Sequence, residues 1–189
     1  MAMLDLIIYP NPILREIAKP VESFDEELST LVNDMAETMY AGNGVGLAAP
    51  QIGRSIRLFI IDVSPQEGAK KLEVFINPKI LATDCPTVWN EGCLSLPGLF
   101  RDVPTYKSVE VQAYDLEGKP FSTKATDLRA VAILHEYGHL EGEIFLDRLN
   151  PVKRRMTRKY WQKNRNILAR DVYDELKVGY ILNEAELAR

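Results

Sequence analysis

The segment Thr126-Asp127-Leu128-Arg129-Ala130-Val131-Ala132-Ile133-Leu134-His135-Glu136-Tyr137-Gly138-His139-Leu140 carries the reading of this chain. Thr126 and Asp127 are good helix caps, and the residues after them predict a helix ending near Gly142. Within it, His135 and His139 have the spacing His-Glu-x-x-His (HExxH). Positions i and i+4 lie one turn apart on one helix face, so both imidazoles reach one metal ion. Glu136 is rotated by about 100° from its neighbour, which suits proton transfer beside the metal rather than ligation. The plain alternative is two solvent-facing histidines. It fits poorly with an apolar helix, where an unliganded imidazole is costly. The chain has only two histidines, both in this motif.

A hydrolytic site of this kind needs a third protein ligand and an open position for water. Glu141, Glu143, Glu175, Glu184 and Glu186 follow the helix without distinctive context. Cys93 lies in Glu91-Gly92-Cys93-Leu94-Ser95-Leu96-Pro97, with glycine beside the thiol. A lone cysteine among leucines is more often core. From the residues alone the third ligand stays open.

Around this helix the chain reads as alternating elements. Leu28, Leu31, Val32, Met35, Ala36, Met39 and Tyr40 form one apolar face over residues 25–41, with acids at the start and Gly42 at the end. Gly44-Val45-Gly46-Leu47-Ala48-Ala49-Pro50-Gln51 follows as a small-residue loop. Branched and aromatic runs at 58–63, 73–77 and 109–114 predict strands, bounded by Ser64-Pro65, Pro78 and Gly118-Lys119-Pro120. Asn150-Pro151 predicts a third helix with an apolar stripe of Val152, Met156, Tyr160, Ile167 and Leu168. Helix, strands, then helices argue for an α+β fold with largely antiparallel strands.

The 189 residues suit one domain of 1–150, a metallohydrolase, plus a helical extension of 151–189 that is basic and then acidic. A net charge of −4 gives no global attraction to nucleic acid, so any basic surface is local. No stretch reaches the roughly 18 apolar residues of a membrane span, so no membrane partner is expected. The start, with Asp5 and Pro10-Asn11-Pro12, reads as an edge strand or extended arm rather than a signal peptide. A cytoplasmic location is the default, with Cys85 and Cys93 as free thiols.

Three segments in order, Gly44 to Gln51, Glu91-Gly92-Cys93-Leu94-Ser95 and His135 to Gly142, resemble the signature motifs of peptide deformylases, and the similarity runs from about Ile8 to about Arg155. The resemblance implies hydrolysis of the formyl group from N-formylmethionine on newly made polypeptides, with release of formate. It implies Cys93, His135 and His139 as metal ligands, and metal-bound water as the nucleophile. Glu136 is then the general base and acid, and the Gln51 side chain and Leu94 backbone N–H are the oxyanion donors. One divalent ion is implied, Fe(II) by family habit, with zinc, nickel or cobalt able to take the site. One sulfur and two nitrogens do not choose among these metals.

Gly46 and Gly92 would let a substrate strand approach closely, and Val45, Leu128, Val131 and Ala132 would line a methionine pocket. Each of those four is as readily a core residue, and Gln51 alone reads as a loop amide. The expected fold is thus α+β, with mostly antiparallel strands packed around a central helix carrying HExxH, an N-terminal helix and a C-terminal helix.

The sequence departs from the family at three places. Leu134 replaces the usual Gln, Gly138 the usual Asp, and Thr105 the Arg that many relatives carry after Val-Pro. The Asp and Arg are read as partners lost together, so that no buried charge stands unpaired. The third helix carries Arg148, Lys153, Arg154, Arg155, Arg158, Lys159, Lys163, Arg165 and Arg170 at or beside it. Such a run is commonly a solvated face. In some deformylases a C-terminal helix docks on the ribosome, which makes RNA phosphate a candidate partner. Two rivals remain: a zinc endopeptidase using the helix motif alone, and a non-catalytic relative that only binds.

Overall fold

Two long strands dominate the sheet: β4 (Glu73–Cys93) and β5 (Leu96–Tyr114) form one antiparallel hairpin whose turn is Leu94-Ser95. The structure, a computed structural model, describes residues 2–64 and 68–182. Pro65, Glu184 and Glu186 therefore lie outside the described residues. Register shifts interrupt the hairpin at Ile76/Lys79, Ile80/Ala82 and Glu91/Cys93, and the last lies beside the expected thiol ligand. β2 (Gly46–Ala48), β3 (Leu58–Ile61) and β6 (Pro120–Thr126) complete a five-stranded antiparallel sheet in the order β2-β3-β4-β5-β6. β1 (Leu6–Ile7) and β7 (Tyr180–Ile181) pair in parallel as a separate ribbon.

The stretch expected as a small-residue loop is more ordered than that. Gly46–Ala48 pairs with Phe59–Ile61, and Ala49–Ile52 forms a 3-10 turn closed by left-handed Gly53. Small side chains let this backbone run buried between the sheet and the helices.

β3 is buried on both faces, and its alternation divides the core. Leu58 and Ile60 join the apolar face of α1 (Glu26–Ala41), with Leu28, Val32, Met35 and Met39. Phe59 and Ile61 join Phe75, Val109 and Val111 beneath α2 (Asp127–Leu140), through Ala130, Ile133 and Leu140. The Phe59 and Phe75 rings stack at 4.8 Å. Asp25 caps α1 by accepting from the Leu28 N–H. Thr126 occupies the cap position of α2 without a side-chain bond there.

α3 (Pro151–Leu176) starts as expected, with Asn150 accepting from the Lys153 N–H. Its buried face differs from the expected stripe. Val152, Met156, Tyr160 and Ile167 are exposed, and Leu168 is half-buried. The buried line is Thr157, Trp161, Arg165, Ala169 and Tyr173, each four residues after the last. Trp161 is wholly buried and donates its indole N–H to the Tyr9 carbonyl at 2.9 Å. The apolar residues on a helix with this many charges do not define one face. Shape and a hydrogen-bonding handle decided which side went inward.

Candidate metal centre

The tight turn after Cys93 brings the hairpin tip against α2. Cys93 Sγ lies 3.3 Å from His139 Nε2, and one donor atom from each of Cys93, His135 and His139 lies within 4.8 Å of the others. Among the described residues this is the one group of three or more such side chains close enough to hold an ion. The Ser95 N–H donates to the Cys93 sulfur at 3.4 Å.

Each imidazole is prepared differently. His135 uses Nδ1 on Glu91 Oε2 at 2.8 Å, which leaves Nε2 for the site. Glu91 is buried and is held in turn by Arg148 at 2.6 Å. Burial opposes its charge, but the His135 and Arg148 contacts keep Glu91 below the ordinary carboxylate range. Burial likewise opposes charge on His135, yet bonds with Cys93 and Glu91 raise it well above the usual imidazole value. His139 is pushed well below that value by burial and by the charge of His135, with Arg148 and Arg15 adding to it. Together the three side chains offer one sulfur and two imidazole nitrogens, a donor set suited to a transition metal.

Glu136 is buried, and its Oε2 has no protein partner. Burial raises it to about 7, His135 opposing and Glu91 adding. A carboxyl so placed is suited to exchange protons near neutrality. Its position is tightly set: a Cβ added to Gly46 would lie 2.4 Å from Glu136 Oε1. Gln51 is also buried. Its Oε1 accepts from the Ala48 N–H at 2.8 Å, which turns Nε2 toward Cys93 Sγ at 3.4 Å and Ser95 Oγ at 3.3 Å. The amide is thus oriented as a donor beside the thiol, which a loop role would not require.

A cleft of about 330 Å³ opens onto these groups. Val45, Gly46, Gly92, Cys93, Leu94, Leu128, Val131, Ala132, His135 and Glu136 all line it, so the expected pocket residues come together. Val45 and Leu128 are exposed on the rim, while Val131 and Ala132 are buried deeper. Phe100 also lines the cleft, with its ring over Gly92.

The sequence reading assigned no role in the metal site to Glu91, Arg148, Ser95, Phe100 or Tyr173, and placed Arg148 only in the basic run at the third helix. Glu91 stood within a quoted segment, two residues from Cys93 and therefore of the same strand parity. Ser95 stood in the same segment, two residues after Cys93, and Phe100 lies on the same hairpin, while Arg148 and Tyr173 reach the site from distant elements. Behind α2, a second cavity of about 320 Å³ is lined by Thr105, Gly138, Glu143 and Arg148 among others. A Cβ at Gly138 would meet nothing closer than 3.8 Å, and Thr105 Oγ1 is buried without a partner. Arg148, the cation facing this space, has Glu91 as its counter-ion.

The chain is similar to known proteins over most of its length. The family profile described as polypeptide deformylase matches residues 3–155. A peptide deformylase of Syntrophobacter fumaroxidans is 47% identical over 163 residues, covering 86% of this chain and 96% of that protein. The crystal structure of a peptide deformylase from Legionella pneumophila superposes with a TM-score of 0.82 at 44% identity, covering 89% of this chain and 99% of that one. A Synechococcus elongatus peptide deformylase, solved in complex with actinonin, gives 0.78 at 38% identity, covering 83% and 86%.

Proposed function

The chain belongs to the polypeptide deformylase family, and from that membership we propose that its cleft hydrolyses the formyl group from N-formylmethionine on nascent polypeptides, releasing formate. The observation that carries this reading is the convergence of Cys93, His135 and His139 within 4.8 Å, with Glu136 at their side. The donor set fits a divalent transition metal: one soft sulfur, two imidazoles, and an unpartnered carboxylate oxygen adjacent. Fe(II) is the expected ion, with zinc, nickel or cobalt able to replace it. When bound, the ion supplies Lewis acidity that makes hydroxide available near neutral pH.

The protein's own groups do the rest. The substrate backbone lies as an added strand between Gly46 and Gly92, and its methionine side chain enters the lining of Val45, Leu128, Val131 and Ala132. Glu136 accepts the proton of the attacking water and delivers it to the departing amine as the C–N bond breaks. Charge growing on the formyl oxygen is met by Gln51 Nε2 and the Leu94 N–H, both fixed before the reaction begins. α2, which presents both histidines and Glu136 from one helix, is the central element of the site.

Formate release from a formyl-Met peptide, run without oxygen on protein of measured metal content, tests this directly. Stoichiometric metal with formate release is expected; fully loaded protein without turnover would contradict it. Oxygen exclusion matters because Fe(II) and a metal thiolate are both oxidisable. The endopeptidase rival requires that Cys93→Ala retain metal and that internal peptide bonds be cut. The binding-only rival gives no natural role to the tuned Glu136.

The enzyme acts in the cytoplasm, on chains leaving the ribosome, and α3 is the surface suited to ribosomal RNA. Lys153, Arg155, Lys159 and Lys163 are exposed along it, and no described helix is long and apolar enough to cross a membrane. Co-sedimentation with ribosomes that weakens steeply with salt, and is lost on changing these four to Glu, is expected. Salt-independent or unchanged binding would remove this partner.

A further inference from the structure

We propose that Tyr173 of α3 is a positioning residue for deformylation, holding the Leu94 turn so that its N–H meets the formyl oxygen. This rests on the role assigned above to the Leu94 N–H. The turn joins paired residues Cys93 and Leu96, with only Leu94 and Ser95 between them. The Leu94 N–H belongs to the Cys93–Leu94 peptide, and its direction is set through the Leu94 Cα when the two peptides that follow, Leu94–Ser95 and Ser95–Leu96, are held by their carbonyls. Both are held here, by elements from opposite ends of the chain. The Ser95 carbonyl accepts from the Tyr9 N–H at 3.0 Å. The Leu94 carbonyl accepts from the Tyr173 hydroxyl. The Leu94 side chain is packed closely over Gly42 and Gly44, so packing and the carbonyl bond together hold the residue.

The hydroxyl matters separately from the ring. Tyr173 is 1% exposed in the main apolar core, where phenylalanine would pack as well without a polar atom to satisfy. Its ring lies 5.7 Å from that of Tyr180, and its own carbonyl accepts from the Val178 N–H at 3.1 Å. Leu168 and Val172 of the same helix press on Gly98, at the start of β5. Val172 and Tyr173 also line the substrate cleft. The C-terminal helix therefore forms the back wall of the site.

The test is a double-mutant cycle on the full chain, between Tyr173→Phe and replacement of the Leu94 N–H by an ester oxygen through incorporation of the α-hydroxy acid at position 94. Metal content, melting temperature, kcat and KM are measured for all four proteins. Tyr173→Phe is expected to lower kcat about tenfold, with KM within twofold of the parent and metal content equal. In the ester background, the same substitution is expected to change kcat by less than twofold, because the group it positions is gone. If Tyr173→Phe lowers melting temperature but leaves kcat within twofold, the residue is structural and the proposal is overturned. If the two effects multiply, Tyr173 does not act through the Leu94 N–H, and the proposal is likewise overturned. If the ester alone turns over normally, the donor role of Leu94 fails, and positioning fails with it.

Discussion

Gly46→Ala is expected to impair catalysis through one displaced carboxylate. The new Cβ would stand 2.4 Å from Glu136 Oε1 and 2.9 Å from both Cδ and Cγ. Ordinary van der Waals contact starts near 3.4 Å, so the group must retreat by about 1 Å. β2 is held to β3 along Gly46–Ala48, which leaves the Glu136 side chain as the part that moves. A misplacement of about 1 Å at a reacting group costs on the order of 10²-fold in rate, or roughly 2.7 kcal/mol. The three atoms nearest the new Cβ all belong to Glu136, so metal content should stay at the wild-type level. Gly92→Ala is the internal control. Its Cβ would meet the Phe100 ring at 2.5 Å, but that ring is 59% exposed and free to swing outward. It should raise KM, by obstructing the substrate strand, and leave kcat nearly unchanged. Steady-state deformylation of a formyl-Met peptide, with metal analysis, reads both variants. A Gly46→Ala enzyme with wild-type metal and kcat within threefold of the parent would refute the reasoning, since Glu136 would not need its present place.

Glu136→Gln should lower kcat by at least about 10²-fold while the protein still binds one equivalent of metal, as read by formate release and elemental analysis. The profile of kcat/KM should have an acid limb, because Glu136 must be ionised to accept a proton. Burial sets that limb at about 7, and a bound cation favours the carboxylate and moves it lower. A rate that rises as pH falls from 7 to 5 would contradict this. Asp62 is held at about 2, because bonds from Ser64, Tyr40 and Lys71 outweigh the cost of burial. Its depressed value gives stability that is present above pH about 4 and lost as pH falls through about 2. Asp62→Asn should remove roughly 2 kcal/mol at pH 7 and flatten this acid limb of the stability curve, measured by urea unfolding at stepped pH. Truncation after Asn150 removes buried Trp161 and Tyr173, so we expect a protein that melts well below the full chain.

The parts of this molecule legible in the sequence were those set by local rules. Asp25 and Asn150 cap their helices through their own side chains, and the His135 and His139 pair needs only helical pitch to converge. Cys93 became legible only in company with the other two motifs, because a hairpin turn 42 residues upstream carries no local sign of facing α2. The length of β4 was hidden because residues 82–86 are exposed and polar or small, so no alternation marks them. The inward face of α3 was misread for the opposite reason. Val152, Met156 and Ile167 look like a stripe, yet Thr157, Trp161 and Tyr173 found partners in Arg101, Tyr9 and Leu94. Contacts made between such distant positions are a property of the folded chain, and no window of sequence contains them. The same holds for Arg148, which reaches Glu91 behind His135 and lines the cavity that Gly138 also borders.

X-ray absorption at the metal edge of the anaerobically loaded protein tests the central claim most directly. One sulfur and two imidazole nitrogens around a single ion per chain are predicted, with the sulfur lost in Cys93→Ala. A coordination shell of nitrogen and oxygen alone in the wild-type protein would contradict the account, because the hairpin tip would then have no part in the site.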